Sequence, residues 1–215
     1  GKAIDANAKE DVKVCVVGNP CNTNALIAKA QCTRTNPANY TAMTRLDQNR
    51  AMAQLAAKTG KPVSSIKNLG IWGNHSPTMF PNWFNCTIDG VAAADAIGDD
   101  AWLRGNFMKT VQQRGKAIIN ARGKSSAASA ASAAVDHCHS WATGKMTGDF
   151  VSMAVPSDGS YGVPEGLIFS YPCRITAPGK YEIVQGIELS EYAQAAVQRT
   201  TDELSAEREA VADLL

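Results

Sequence analysis

The chain has 215 residues, 45% of them hydrophobic, and a formal net charge of +1 from 21 Lys and Arg against 20 Asp and Glu. That content supports one or two small domains with a real core, and the balanced charge leaves no electrostatic footprint for nucleic acid or a membrane surface. No apolar run approaches the length of a bilayer-spanning helix and no signal-peptide pattern opens the chain. The first residues, GKAIDANAKED, read as the tail of a helix with no cap before it, as if the chain were cut inside an element. Residues 12–17 (VKVCVV) read as a buried parallel-type strand, ended by Gly18-Asn19-Pro20. Asn22-Thr23-Asn24 reads as the cap of a helix running to about residue 29. This order puts Gly18 and Asn19 at the carboxyl end of a strand, where open α/β sheets bind ligands. Taken alone, Gly-Asn-Pro is merely a turn.

Residues 33–39 read as loop, followed by an apolar-periodic helix over 43–58 in which Leu46, Ala51, Leu55 and Ala56 share a side, stopped by Gly60-Lys61-Pro62. A helical turn over 63–67 precedes a buried strand ending Leu69-Gly70-Ile71-Trp72, which Gly73-Asn74 terminates. The aromatic, proline-punctuated stretch 76–90 contains a strand pair over 85–91 around Asp89-Gly90, with Phe80, Trp83 and Phe84 as packing residues. Residues 102–119 and 125–143 are two long helical patterns. The alanine and serine of 125–134 predict close helix packing, or equally a subunit interface. Residues 150–155, 168–171 and 181–184 read as an antiparallel sheet with turns at 157–159 and 177–180, and 191–215 as an amphipathic helix.

The chemistry concentrates in TRLDQNR (44–50) and IWGNHSPT (71–78). Asp47 and Arg50 are three apart, so they share a helix face. His75 follows a strand end, where a helix carboxylate can orient its ring and offset the charge it gains on taking a proton. Arg50 then offers a planar fork suited to a substrate carboxylate. The blander alternatives are a surface ion pair and a packing histidine.

Other signals are weaker. The six cysteines, Cys15, Cys21, Cys32, Cys86, Cys138 and Cys173, lack C-x-x-C spacing and read mostly as buried free thiols of a reducing compartment. The sequons at Asn39, Asn74 and Asn85 are discounted without a secretion signal. Asp136-His137-Cys138-His139 is no metal site by spacing, since i and i+2 of a helix point about 200° apart, and it reads as helix surface.

Six ordered blocks carry a resemblance: VVGNPCNTNALI (16–27), TRLDQNRA (44–51), IWGNHS (71–76), VQQRGKAII (111–119), SSAASAA (125–131) and VPSDGSYGVPEGLIFSYP (155–172). In these the chain resembles the cytosolic-type malate dehydrogenases of the lactate/malate dehydrogenase family, over essentially all its length. The resemblance implies an α/β and α+β fold: a remnant of a Rossmann-type parallel sheet in residues 1–42, then a C-terminal catalytic domain in 43–215 with long helices and an antiparallel sheet. It implies NAD as cofactor, L-malate and oxaloacetate as substrates, a cytoplasmic homodimer, and no partnership with nucleic acid or membrane. It assigns His75 and Asp47 to catalysis, Arg50, Asn19, Gly115 and Ser126 to the substrate, and Val17, Gly18 and Asn19 to the cofactor, with no metal. Arg114 and Arg122 stay ordinary surface or interface charges. The family's glycine-rich phosphate loop and mobile substrate loop have no counterpart here, so the chain looks like the C-terminal two-thirds of the enzyme, inactive alone. Two further readings stand beside it, a non-catalytic structural subunit derived from a dehydrogenase, and another 2-hydroxy-acid dehydrogenase such as lactate dehydrogenase.

Overall fold

In a computed structural model, which describes residues 1–146 and 148–215, the chain opens with α1 (Lys2–Asn7), β1 (Val14–Val16), α2 (Cys21–Ala30), β2 (Tyr40–Ala42) and α3 (Arg45–Thr59). Short strands follow: β3 (Ile66–Lys67), β4 (Gly70–Trp72), β5 (Phe80–Asn82), β6 (Thr87–Ile88) and β7 (Val91–Ala92). Then come α4 (Ala93–Ile97) and α5 (Asp100–Trp102), the latter passing through a π turn (Leu103–Phe107) into α6 (Met108–Arg122). The chain continues with α7 (Ala128–Thr143), β8 (Val151–Pro156), β9 (Ile168–Ala177), β10 (Lys180–Ile183) and α8 (Glu191–Ala210).

The main sheet has the order β1-β2-β8-β9-β10. Only β1 and β2 are parallel; β2 joins the antiparallel part through Ala42 opposite Ala154. The predicted parallel remnant and antiparallel sheet are therefore one sheet. Central β9 is buried on both faces from Ile168 to Cys173 and alternates only at its exposed end, at Arg174 and Thr176, as expected where helices and β4 cover a strand. The main core runs from Leu55 and Trp72 through Phe80, Trp83 and Phe107 to Phe169 and Leu204.

Buried polar clips set the position of β4. Gln48 of α3 donates to Leu69 O at 3.1 Å and accepts from Ser152 N–H at 2.9 Å, and Ile71 N–H donates to Ser152 Oγ at 2.9 Å. Ser170 Oγ donates to Ile71 O at 2.8 Å and lies 2.7 Å from Thr44 Oγ1. Gly73, at φ +94°, pairs with Ser170 and ends the strand; a Cβ there would stand 2.1 Å from Thr200 Cγ2 of α8. Only glycine permits that approach.

Several expectations are corrected. Residues 40–42 form β2, a three-residue strand whose partners β1 and β8 are remote in sequence, and 80–82 form β5, which pairs antiparallel with the neighbouring β4. Residues 157–167 are a longer connection than a tight turn, and β9 extends to Ala177. Within this chain the stretch 125–134 does not pack tightly, which overturns the close-packing half of that expectation but not the subunit-interface half: α7 begins at Ala128, and of these residues only Ala133 is buried. Small side chains permit close approach without supplying the area that compels it. The helix-surface reading of 136–139 fails at His137, which is fully buried. Phe80 and Trp83 are core, with Phe84 stacked on Trp83. All six cysteines are free; Cys21, Cys86 and Cys173 are buried, whereas Cys138 is exposed. Among the described residues no helix is long and apolar enough to cross a membrane, and no group of three His, Cys, Asp or Glu could hold a metal ion.

Candidate active site

Asp47 lies in the first turn of α3, fully buried, where the helix dipole favours a carboxylate. Its Oδ2 is hydrogen-bonded to His75 Nδ1. Its Oδ1 lies 3.6 Å from Arg50 Nη1, one turn along the same helix. The carboxylate thus sits between an imidazole and a guanidinium brought together by a helix and a strand end 28 residues apart in the chain.

Bonding at Nδ1 fixes the ring. In the neutral form the proton lies on Nδ1, and the lone pair lies on Nε2, which has no hydrogen-bond partner among the described residues. The His75 side chain is 17% exposed. Burial penalises its charged form, but the Asp47 charge and hydrogen bond outweigh burial and the repulsion of Arg50, so its pKa is raised above 6.5. Arg50 donates to Ser126 Oγ at 2.9 Å. Burial first, then Arg114, draw the Arg50 pKa down against the pull of Asp47.

The main chain of His75 is held as firmly as its ring. Its N–H donates to Asn22 Oδ1 at 3.0 Å, and Asn22 Nδ2 donates to Gly73 O at 3.2 Å and Ile168 O at 2.9 Å. Asn22 is therefore no helix cap: Pro20 precedes α2 without a side-chain cap, and Asn22 reaches out of the first turn to the His75 segment. Asn19, three residues before it, is exposed with Val17 and Gly18 at the carboxyl end of β1. Asn24 Nδ2 closes that turn on Gly18 O at 2.9 Å, and no atom lies within 4 Å of where a Gly18 Cβ would stand. This open backbone suits close approach of a flat ligand.

The structure thus brings together His75, Asp47, Arg50 and Ser126, and Asn22, three residues after the exposed Val17–Asn19 turn, bonds the His75 main chain. Gly115 stands half-buried on α6 beside Arg114, whose charge reaches Arg50. A cavity of about 470 Å³ beside α3 is lined by Arg45, Gln48, Met52 and Phe150, and none of the predicted site residues lines it. Asn22, Gln48, Asn74 and Ser170 were invisible as site residues, because single Asn, Gln and Ser residues carry no periodic or spacing signal. An imidazole with a free nitrogen beside a guanidinium can exchange a proton with a hydroxyl whose neighbouring carboxylate the guanidinium holds.

Residues 44–215 match the family model for the lactate/malate dehydrogenase alpha/beta C-terminal domain. A malate dehydrogenase from Naegleria fowleri is 44% identical, with a TM-score of 0.94, over 100% of this chain and 65% of that one. A Trichomonas vaginalis lactate dehydrogenase, solved in complex with NADH and oxamate, is 32% identical with a TM-score of 0.91 over 96% of this chain and 64% of that one. A malate dehydrogenase from Plasmodium falciparum, at 17% identity and a TM-score of 0.87, shares the fold. The chain spans about two thirds of the length of these enzymes. It belongs to the lactate/malate dehydrogenase family.

Proposed function

We propose that this chain is the catalytic and substrate-binding part of an NAD-dependent malate dehydrogenase that interconverts L-malate and oxaloacetate. The single observation carrying this is the bond from buried Asp47 to His75 Nδ1, with Arg50 at 3.6 Å on the other carboxylate oxygen. His75 Nε2 takes the proton of the substrate C2 hydroxyl, and Asp47 stabilises the imidazolium that results. Arg50 holds the C1 carboxylate, with Ser126 setting the direction of its fork. Asn19 steadies the reacting oxygen, and Gly115 leaves room at the pocket wall. Val17, Gly18 and Asn19 form the surface against which the nicotinamide lies. A bound NAD supplies the hydride acceptor.

In this reading residues 1–42 are the end of a dinucleotide-binding domain, 43–215 the substrate domain, and the working form a homodimer. Similarity to the Naegleria enzyme favours malate, and the Trichomonas enzyme makes lactate the second reading. The alternative of a purely structural subunit gives no reason for the His75, Asp47, Arg50 and Ser126 set to be assembled. A spectrophotometric NADH assay tests the proposal on the 215-residue chain and on a fusion preceded by the unmatched third of the Naegleria enzyme. The chain alone should show no turnover, for want of a glycine-rich phosphate loop. The fusion should reduce oxaloacetate in preference to pyruvate. A fusion that folds and binds NADH but reduces neither would defeat the reading.

A further inference from the structure

The segment bearing His75 is tied to α8 by a polar network that no sequence motif marks. Asn74 is buried, 2% exposed, and its amide donates to Glu203 Oε2 at 2.8 Å and to Glu207 Oε1 at 2.7 Å. Its backbone N–H donates to Thr200 Oγ1 at 2.9 Å. Glu203 Oε2 also accepts from Ser76 Oγ and, at 2.6 Å, from Thr78 Oγ1. The Thr78 and Thr200 hydroxyls lie 2.9 Å apart. Glu207 Oε2 accepts from Thr23 Oγ1 on α2, next to the Asn22 that holds the His75 N–H.

The charges in this arrangement need explaining. Glu203 and Glu207 are four apart on one helix face, a spacing at which like charges repel. Among the described residues neither has a cation within ion-pair distance. Their partners are neutral donors, and Asn74, Ser76 and Thr78 belong to the segment around His75. Charge-assisted hydrogen bonds are shorter and stronger than neutral ones, and they fix geometry. A helix needing only to pack on its neighbour would have no use for two half-buried carboxylates aimed at this segment.

We propose that Glu203 and Glu207 are positioning residues for His75, acting through Asn74, Ser76 and Thr78. The inference rests on the reading of His75 as the proton-transferring group. Asp47 orients the imidazole from α3, and α8 sets where the main chain on either side of His75 lies. The distance from His75 to Asp47 is thus set from two helices at once. Misplacement of a reacting group by about 1 Å costs about 100-fold in rate, so partial loosening should read out in turnover.

Glu203→Gln and Glu207→Gln keep shape while removing the charge that the donors address. The 15N resonances and titration of His75, measured on this chain, need no turnover. Both variants should shift or broaden the Nδ1–H signal and move the His75 pKa down towards 6.5. In the turnover-competent fusion kcat should fall about tenfold, with KM within about twofold. Glu209→Gln, on the exposed face of the same helix, should change neither. Should Glu203→Gln fail to fold, Ser76→Ala removes one donor to Glu203 and carries the same readouts. Variants with a lower melting temperature but wild-type His75 titration and kcat would overturn the proposal and leave these carboxylates as packing groups. Failure of the active-site reading looks different: wild-type His75 itself would titrate at or below 6.5.

Discussion

The end of β4 and the middle of α7 each bury a histidine, and the two are treated in opposite ways. His137, wholly buried, has Nε2 3.2 Å from Thr41 Oγ1, nothing on Nδ1, and the ring of Trp141 at 5.9 Å. Burial, and then the charge of Arg45, push its pKa down to about 3. His75 is half-buried, with a carboxylate behind it, and its pKa rises despite the cost of burial. Enclosure silences an imidazole as a base, whereas a partner such as Asp47 lets it take up a proton. The carboxylate partner decides the sign of the shift, even though His75 is also less deeply buried than His137.

The strongest way to break the contrast is Asp47→Asn. It leaves His75 with burial and the Arg50 charge, the company His137 keeps. Its pKa should drop below 6.5, and kcat/KM of the turnover-competent form should fall by ~10³ to 10⁴. A loss under tenfold would mean that Asp47 does not orient the base. Gly73→Ala tests the backbone side of the same site. The added methyl meets Thr200 at φ +94°, and urea unfolding should show a loss on the order of 3 kcal/mol. A change within about 0.5 kcal/mol would show that α8 yields freely.

Arg50→Lys retains charge but not the fork. Substrate binding should weaken by about 1.5 to 3 kcal/mol, read as an increase in KM, with the His75 titration little changed. A further contrast separates the two histidines by pH. His137 takes up a proton near 6.5 when unfolded but only near 3 when folded, so it makes stability fall as pH drops below 6.5, by up to ~1.4 kcal/mol per unit. His75, raised in the fold, has the opposite sign: its contribution is complete below 6.5 and is lost as pH rises through its folded pKa. Urea midpoints across pH should show the acid limb flattening in His137→Phe. An unchanged limb would place that dependence elsewhere.

Much of this was legible in the residues. The Asp47 and Arg50 spacing defines a shared helix face, Gly73-Asn74 ends the strand, and the Asp89-Gly90 hairpin is a local turn signal. The ordered motif blocks supplied the rest of the family reading. What stayed hidden was long-range: β2 is a three-residue strand held between β1 and the distant β8, and the Asn22 bond to His75 crosses 53 positions. Nothing local distinguishes Glu203 and Glu207 from solvated charges until α8 is docked against the His75 segment. His137 reads as surface in the sequence because its neighbours Asp136, Cys138 and His139 are polar or small, and a single inward face within an Ala-Ser helix has little apolar contrast to announce it.

The most direct test of the central claim is a 15N NMR titration of His75 in this chain. The account predicts a neutral ring protonated on Nδ1, a pKa above 6.5, and a fall below 6.5 in Asp47→Asn. A wild-type ring protonated on Nε2, or a pKa at or below 6.5, would contradict it.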